Sequence, residues 1–303
     1  MRIATSQFQS TMNQSLALNQ ERLSHLTQQM ASGNRILTPS DDPVDSVRLS
    51  RLRREEAAVG QYRANIATIQ IRLRKTEGYL DNMVTDIHSG RDLMVWALDG
   101  GNTPDDLAAM VTPLTSLRDS LFHSANTVDQ EGRYIFSGTQ TTTAPLKYDP
   151  TLGVGSRYTY QGNANAQMVV VGNGISQVGN ENVEGLEKLL NEIDLALDAL
   201  AKPGASPNDP AVRTVLAAGL TGFDDALNMI SSKIAVLGGS QNILKTLDAN
   251  HANVSLSNKM ALTDIGQLDM GVAATELSGY TTALQATYKA YSRISGLSLF
   301  SAL

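Results

Sequence analysis

Two adjacent carboxylates, Asp41 and Asp42, stand in the stretch ASGNRILTPSDDP that runs from Ala31 to Pro43. Such a pair could hold a metal ion or divide the roles of general acid and general base. Either use needs further ligands or a histidine at a fixed spacing, and no such cluster accompanies them. Adjacent residues also project in different directions. The competing reading is structural. Asp42 precedes Pro43 and stands three residues ahead of Asp45, so it can cap a helix whose first residue is Pro43, where the macrodipole favours carboxylate.

The other candidates for chemistry reduce in the same way. His25, His88, His123 and His251 are scattered singly, none in a metal-ligand spacing such as HExxH. The glycines of VGNG, Val171 to Gly174, lack the rest of a phosphate-binding motif and read as a β-turn. A basic run of Arg48, Arg51, Arg53, Arg54, Arg63, Arg72, Arg74 and Lys75 suggests nucleic acid. Glu55, Glu56 and Glu77 interleave with it, however, and a solvated or inter-subunit face is the better reading. Nothing assembles a nucleophile, a base and an oxyanion donor. The sequence therefore implies no enzyme, no cofactor and no metal.

Composition narrows the class. The chain has 303 residues, a net charge of −6, 18% charged and 5% aromatic residues, and no cysteine. Disulfides and thiol chemistry are thereby excluded, and the negative balance gives no reason to expect nucleic acid. Scarce aromatics suit long helices packed side by side. No window of 18 apolar residues suggests a membrane span. The opening MRIATSQFQS has no signal-peptide core, so secretion is expected to use a route without a cleaved signal.

Proline spacing then sets out the elements. None lies between Pro43 and Pro104, and the last 93 residues (303 − 210) have none. Proline costs about 3 kcal/mol inside a helix, so both intervals read as helical. Heptad steps agree. Met12, Leu16, Leu23, Leu26 and Met30 form a seam with Asn19 in the remaining slot. After the break, ten of thirteen slots from 52 to 94 are apolar, with Glu55, Thr76 and Gly90 as exceptions. Thr103 with Pro104 predicts another helix start, and that helix is expected to run to about Asp129.

Over residues 133–180 the pattern becomes β-like, in GRYIFSG, SRYTYQG and AQMVVVGNG. Helix returns at VEGLEKLLNEIDLALDAL and resumes after Pro210. Gly238-Gly239 is the expected weak point of this last helix, and a shift of the apolar stripe past Thr275 predicts a second helical unit. Polar residues Ser240, His251, Asn258 and Thr275 interrupt its seam.

The fold class is thus mainly α with a small β insertion (α+β). The expected form is an elongated rod of long antiparallel heptad helices built from both chain ends, with the β module at the tip; about 60 helical residues span roughly 90 Å. The expected domains are 1–40 with 263–303, 41–132 with 181–262, and 133–180. Terminal segments 1–38 and 265–303 carry a seam with little else to cover it. They are expected to stay disordered alone or to fold against copies of the chain. Their assembly face falls on Met12, Leu16, Leu23, Leu26, Met30, Ile265, Leu268, Val272, Leu277, Leu284 and Tyr288. Gly33, Pro39, Asp42 and Pro43 form the joint and helix cap between the terminal domain and the longer helices.

MRIATSQ, SGNRILTPSDDP, ANTVDQEGRYIFSGTQTTTAPL and the ending LQATYKAYSRISGLSLF resemble the bacterial flagellin superfamily, over roughly 1–148 and 230–303. One departure is Asn34, where that superfamily often has a basic residue. The resemblance implies an inner coiled-coil domain formed by the paired termini, unfolded export through the flagellar type III channel, and an extracellular place in the flagellum. GRYIFSG with the terminal SLF implies an adaptor layer at the hook–filament junction. Its implied partners are copies of itself, the hook-side junction protein FlgK, flagellin, and the export chaperone FlgN at the C-terminal helix. Two alternatives stay open: a short flagellin that builds the filament itself, and a soluble coiled-coil or nucleic-acid-binding protein.

Overall fold

A computed structural model describes residues 2–295. The elements run α1 (Arg2–Ser32), α2 (Pro43–Ala97), α3 (Pro104–Ala109), α4 (Val111–Ala125), β1 (Leu146–Tyr148), β2 (Tyr158–Tyr160), β3 (Met168–Gly172), β4 (Ile175–Val178), α5 (Leu186–Leu200), α6 (Pro210–Gly266) and α7 (Met270–Ser295). The chain is mainly α with two small antiparallel hairpins, β1–β2 and β3–β4. It divides into two compact units. The first takes the residues up to Gly60 and those from Ala252 onward; the second is Gln61–His251.

In the second unit the seam read from the sequence is the core. Ile66, Ile69, Leu73, Leu80, Met83, Ile87 and Met94 of α2 are buried in one cluster with Leu216, Phe223, Ile230, Leu237 and Leu244 of α6. The amphipathic α5 adds Leu186, Leu189, Leu190 and Ile193. Two of the three exceptions in the α2 seam, Thr76 and Gly90, fall in this unit and have local explanations. Thr76 is buried but donates its hydroxyl to the Arg72 carbonyl at 3.0 Å. Gly90 leaves room for the fully buried Phe223 ring, whose nearest carbons lie 2.4 Å from where a Cβ would stand.

Hairpin β3–β4 is held to this core by the polar residues of the helices. Asn65 donates to the Val170 carbonyl at 2.8 Å, and the His251 Nε2–H donates to the Val171 carbonyl at 2.8 Å. Gln177 donates to the Ser240 hydroxyl at 2.9 Å. Ser240 and His251, which interrupt the heptad seam of α6, are therefore the points to which the hairpin is fastened. The other hairpin is tied to α4 by Asn126, whose side chain exchanges two hydrogen bonds with the backbone of Leu146. Asp194 of α5, 4% exposed, takes Arg157 and Arg118 at 3.4 and 3.6 Å.

Four sequence expectations are corrected. The helix expected to reach Asp129 is two helices that part at Met110 and end at Ala125. Pro113 has no N–H for the Ala109 carbonyl, so it fits only in the first turn of a new helix. GRYIFSG forms no strand. It contributes isolated bridges, Val128 with Tyr134 and Ser137 with Asn182, and the buried Phe136. Gly238-Gly239 does not weaken α6, which runs through them unbroken. Two glycines cost roughly 2 kcal/mol of propensity, which the neighbouring buried Ile230, Leu237 and Leu244 outweigh. Finally, the last helix changes register at Gly266–Met270, not past Thr275.

Gly90→Ala provides a test of the seam. Alanine gains about 1 kcal/mol of helix propensity, but overpacking against a buried ring costs about 1–3 kcal/mol. The variant should melt at lower temperature by circular dichroism, and Phe223→Leu in the same chain should recover part of the loss. A raised melting temperature for Gly90→Ala alone would contradict this packing.

Candidate functional site

The first unit contains two interruptions of helix, and they face each other. α1 stops at Ser32 because Gly33 turns into the left-handed region, φ +71°. α6 stops at Gly266, buried against Leu49 of α2. The freed backbone groups then pair: Arg35 N–H donates to the Gly266 carbonyl at 2.8 Å, and Leu268 N–H donates to the Gly33 carbonyl at 2.9 Å. Asn34 and Gln267 bridge antiparallel between them. Helix ends that would otherwise leave donors and acceptors open are closed by one another.

Arg35 locks this pairing. Its Nε donates to the Ile265 carbonyl at 3.1 Å, its Nη1 to Asp42 at 3.2 Å, and its Nη2 to Asp45 at 2.6 Å. The two carboxylates, Asp45 first, hold the guanidinium in its charged form and raise its pKa further. Gln29 of α1 donates to the Arg35 carbonyl. One side chain thus binds the end of α6 and the first turn of α2.

The two aspartates do different work. Asp42 Oδ1 accepts the Asp45 N–H at 3.0 Å, and its carbonyl accepts the Ser46 N–H at 2.9 Å, with Pro43 opening α2. Asp41 turns back. Its Oδ2 accepts the N–H groups of Leu37 and Thr38, each at 2.9 Å, and its Oδ1 accepts the Thr38 hydroxyl at 2.9 Å. His25 Nε2 lies 3.2 Å from the same oxygen. The Thr38 bonds, backbone first, pull the Asp41 carboxyl down to about 2. Pro39 sits in the exposed turn that Asp41 closes onto Thr38. Among the described residues no three His, Asp or Glu stand close enough to hold a metal ion. The chemistry available here is hydrogen bonding that fixes chain direction.

α1 and α7 run antiparallel within this unit, with Gln20 donating to the Tyr288 hydroxyl at 2.9 Å. Both are helical in the single chain, packed on each other, where the sequence suggested disorder or folding on copies. Leu26 and Leu284 are buried. Met12, Leu16, Leu23, Met30, Ile265, Leu268 and Leu277 are half-buried. Val272 and Tyr288 are 56% and 50% exposed. Val272 points outward because the break at Gly266–Met270 resets the phase, and Ala273, 1% exposed, takes the inner slot. Asp269 fixes the new start, its Oδ1 accepting the N–H groups of Gly271 and Val272 at 2.8 and 3.1 Å. The terminal Ser298-Leu299-Phe300 lies outside the described residues.

Arg35, Ala273 and Asp269 were not singled out by sequence. For Ala273 a signal existed, since 273, 277, 280 and 284 follow steps of four, three and four. Asp269 also stands just ahead of an apolar run, as a cap should.

Residues 3–141 match the family described as the bacterial flagellin N-terminal helical region. Flagellar hook-associated protein 3 of Escherichia coli K12 is 30% identical over 293 residues, covering 90% of both chains. The chain belongs to the flagellar hook-associated protein 3 family. The Salmonella typhimurium LT2 protein of the same name is 28% identical over 317 residues, 99% of each chain. Among solved structures, the flagellar junction protein FlgL from Legionella pneumophila shares the fold, with a TM-score of 0.58 over 72% of this chain and all of that one, at 16% identity. The Gly33–Asp45 half of the joint lies in the part of the chain that matches the flagellin N-terminal helical region, and the Ile265–Leu268 half lies outside it.

Two measurements examine the joint. Arg35→Met should cost about 1–2 kcal/mol of local stability, the charged hydrogen bonds being discounted for exposure. Arg35→Lys should recover little, because an ammonium cannot span three acceptors as a planar fork does. Faster hydrogen exchange at residue 35 and Leu268 reads this out. The second concerns pH. A carboxyl lowered from the ordinary 3.8 to about 2 contributes stability that is present above about pH 4 and lost as pH falls toward 2. The Asp41 carboxyl carbon should titrate by NMR near 2; a midpoint near 4 would mean that the Thr38 bonds do not hold it.

Proposed function

We propose that this chain is a structural adaptor of the bacterial flagellum, forming the layer between the hook and the flagellin filament. The similarity to hook-associated protein 3 across nearly the whole of both chains carries the reading. In this reading the chain is exported without a cleaved signal peptide, lies outside the cell, and catalyses nothing. One face docks the hook-side junction protein FlgK and the other receives flagellin. The export chaperone FlgN binds the C-terminal helix before secretion.

Residues 1–40 with 263–303 form the assembly domain in this proposal. The segments 41–132 with 181–262 form a helical domain, and 133–180 a β-rich one. Assembly with further copies uses the seam residues Met12, Leu16, Leu23, Leu26, Met30, Ile265, Leu268, Val272, Leu277, Leu284 and Tyr288. Those that α1 and α7 leave open, Val272 and Tyr288 foremost, meet the neighbouring copy. Gly33, Pro39, Asp42 and Pro43 hold the joint whose geometry sets how the assembly domain meets the long helices.

The match to the flagellin N-terminal helical region favours a second reading, a short flagellin that builds the filament itself. Deletion of the gene separates the two. The adaptor reading expects non-motile cells with hooks intact and flagellin released to the medium. Filaments that persist on the deletion strain, or purified chain that polymerises alone into long filaments, would overturn it.

A further inference from the structure

Among the described residues of the first unit, the apolar side chains with the greatest fractional exposure lie on the outward face of α2. Val44 and Val47 are 71% and 67% exposed. Arg51 and Arg54 continue the same stripe at steps of four and three, and the four residues fall within roughly 80° around the helix axis. The opposite face of α2 carries the buried Leu49. Among the described residues the side chains of Arg51 and Arg54 have neither an ion pair nor a hydrogen bond, whereas that of Arg48 is paired with Asp45. Glu55 stands at the edge of the stripe, on the side away from Arg54. Two valines and two uncommitted guanidinium groups on one helical face are more than solvation of a surface helix requires.

The complementary surface is the groove between α1 and α7, a cavity of about 400 Å³. Leu18, Leu26 and Tyr280 give it an apolar floor. Glu21 on the α1 wall and Glu276 on the α7 wall have no ionic partner among the described residues. Arg22 also lines it, which leaves two carboxylates against one guanidinium. The stripe offers apolar contact followed by positive charge, and the groove offers an apolar floor rimmed by negative charge.

We propose that the α2 stripe of one copy docks in the α1–α7 groove of the next, with Val44 and Val47 against Leu18 and Tyr280, and with Arg51 and Arg54 toward Glu21 and Glu276. This rests on the reading of the chain as a self-assembling layer protein and names the surfaces involved. The two patches differ, so the contact is heterologous. Each copy presents one stripe and one groove, and repetition generates a ring or a helical layer, not a closed two-fold dimer. Arginine suits the role because its fork can meet a carboxylate bidentately at a partly dried interface.

The absence of cysteine makes the test direct. Arg54→Cys in one full-length chain and Glu276→Cys in a second, differently tagged one are co-expressed in flagellated cells that lack their own copy. Oxidised flagella should contain a disulfide-linked dimer bearing both tags, absent when either cysteine is paired with Asp198→Cys. In parallel, Arg54→Glu and Glu276→Arg should each abolish swimming, and the chain carrying both should swim again. Both side chains are exposed, so purified variants should melt as the parent does; if one does not, the Gln substitutions at the same positions replace it. Cells that bear filaments yet yield no mixed dimer, with charge reversals that are harmless or not mutually rescued, overturn this interface and leave the adaptor reading standing. Filaments on cells with no copy of the chain overturn the adaptor reading itself.

Discussion

The first unit depends on a requirement of backbone chemistry: a helix that stops must give its unsatisfied N–H and C=O groups to something. Here two helices stop opposite one another, and each supplies what the other lacks. The exchange of hydrogen bonds between Gly33–Arg35 and Gly266–Leu268 is short, and a bridge of that length would be marginal alone. Arg35 makes it specific. Its guanidinium takes a carbonyl from the end of α6 and carboxylates from the start of α2, so the bridge forms only with both neighbours in place. Each pair is partly exposed and individually modest. Their shared donor makes them cooperative, since losing any one partner loosens the fork for the others.

The same contact explains why the terminal helices carry their own heptad phase. Had α6 continued unbroken, the slot series of its seam would have brought Val272 inward. Breaking at Gly266 and restarting at Met270, under the Asp269 cap, turns Ala273 inward and Val272 outward. An alanine at the contact lets the two backbones come close, which suits a pair of helices with few large side chains between them. The displaced valine becomes surface available to another molecule.

Much of this was legible in the chain itself. Proline spacing located α2 and α6, and the steps of four and three picked out the core of the second unit down to its exceptions at Thr76 and Gly90. Asp42 ahead of Pro43 was readable as a helix start because capping is local in sequence. What stayed hidden was long-range. Arg35 reads as an ordinary loop arginine, and the carbonyl it binds is 230 residues away. Ser240 and His251 looked like defects in a seam, because the hairpin that uses them lies elsewhere in the sequence. Gly238-Gly239 looked weaker than Gly266 on propensity alone. Tertiary burial reversed that order, since Leu237 and Leu244 bracket the pair in a dense core while Gly266 has an alternative hydrogen-bond partner waiting. β1 went unseen because its Leu146-Lys147-Tyr148 run is closed in by Pro145 and Pro150 and lacks the aromatic–threonine–aromatic alternation that marked β2.

Under the proposed adaptor reading, stability and assembly draw on the same apolar residues in the first unit, and magnitudes decide how they are divided. α1 and α7 bury Leu26, Ala273 and Leu284 and leave most of the other seam positions half open. At about 25 cal/mol per Å² of apolar surface, covering one half-exposed valine or tyrosine gives on the order of 1 kcal/mol. Association costs several kcal/mol in lost freedom before any contact contributes. One or two exposed side chains therefore cannot hold a pair of copies together. A subunit that contacts neighbours on both sides through several such residues can be held firmly, because in a closed ring or helical layer each added contact is made within an assembly whose freedom is already lost.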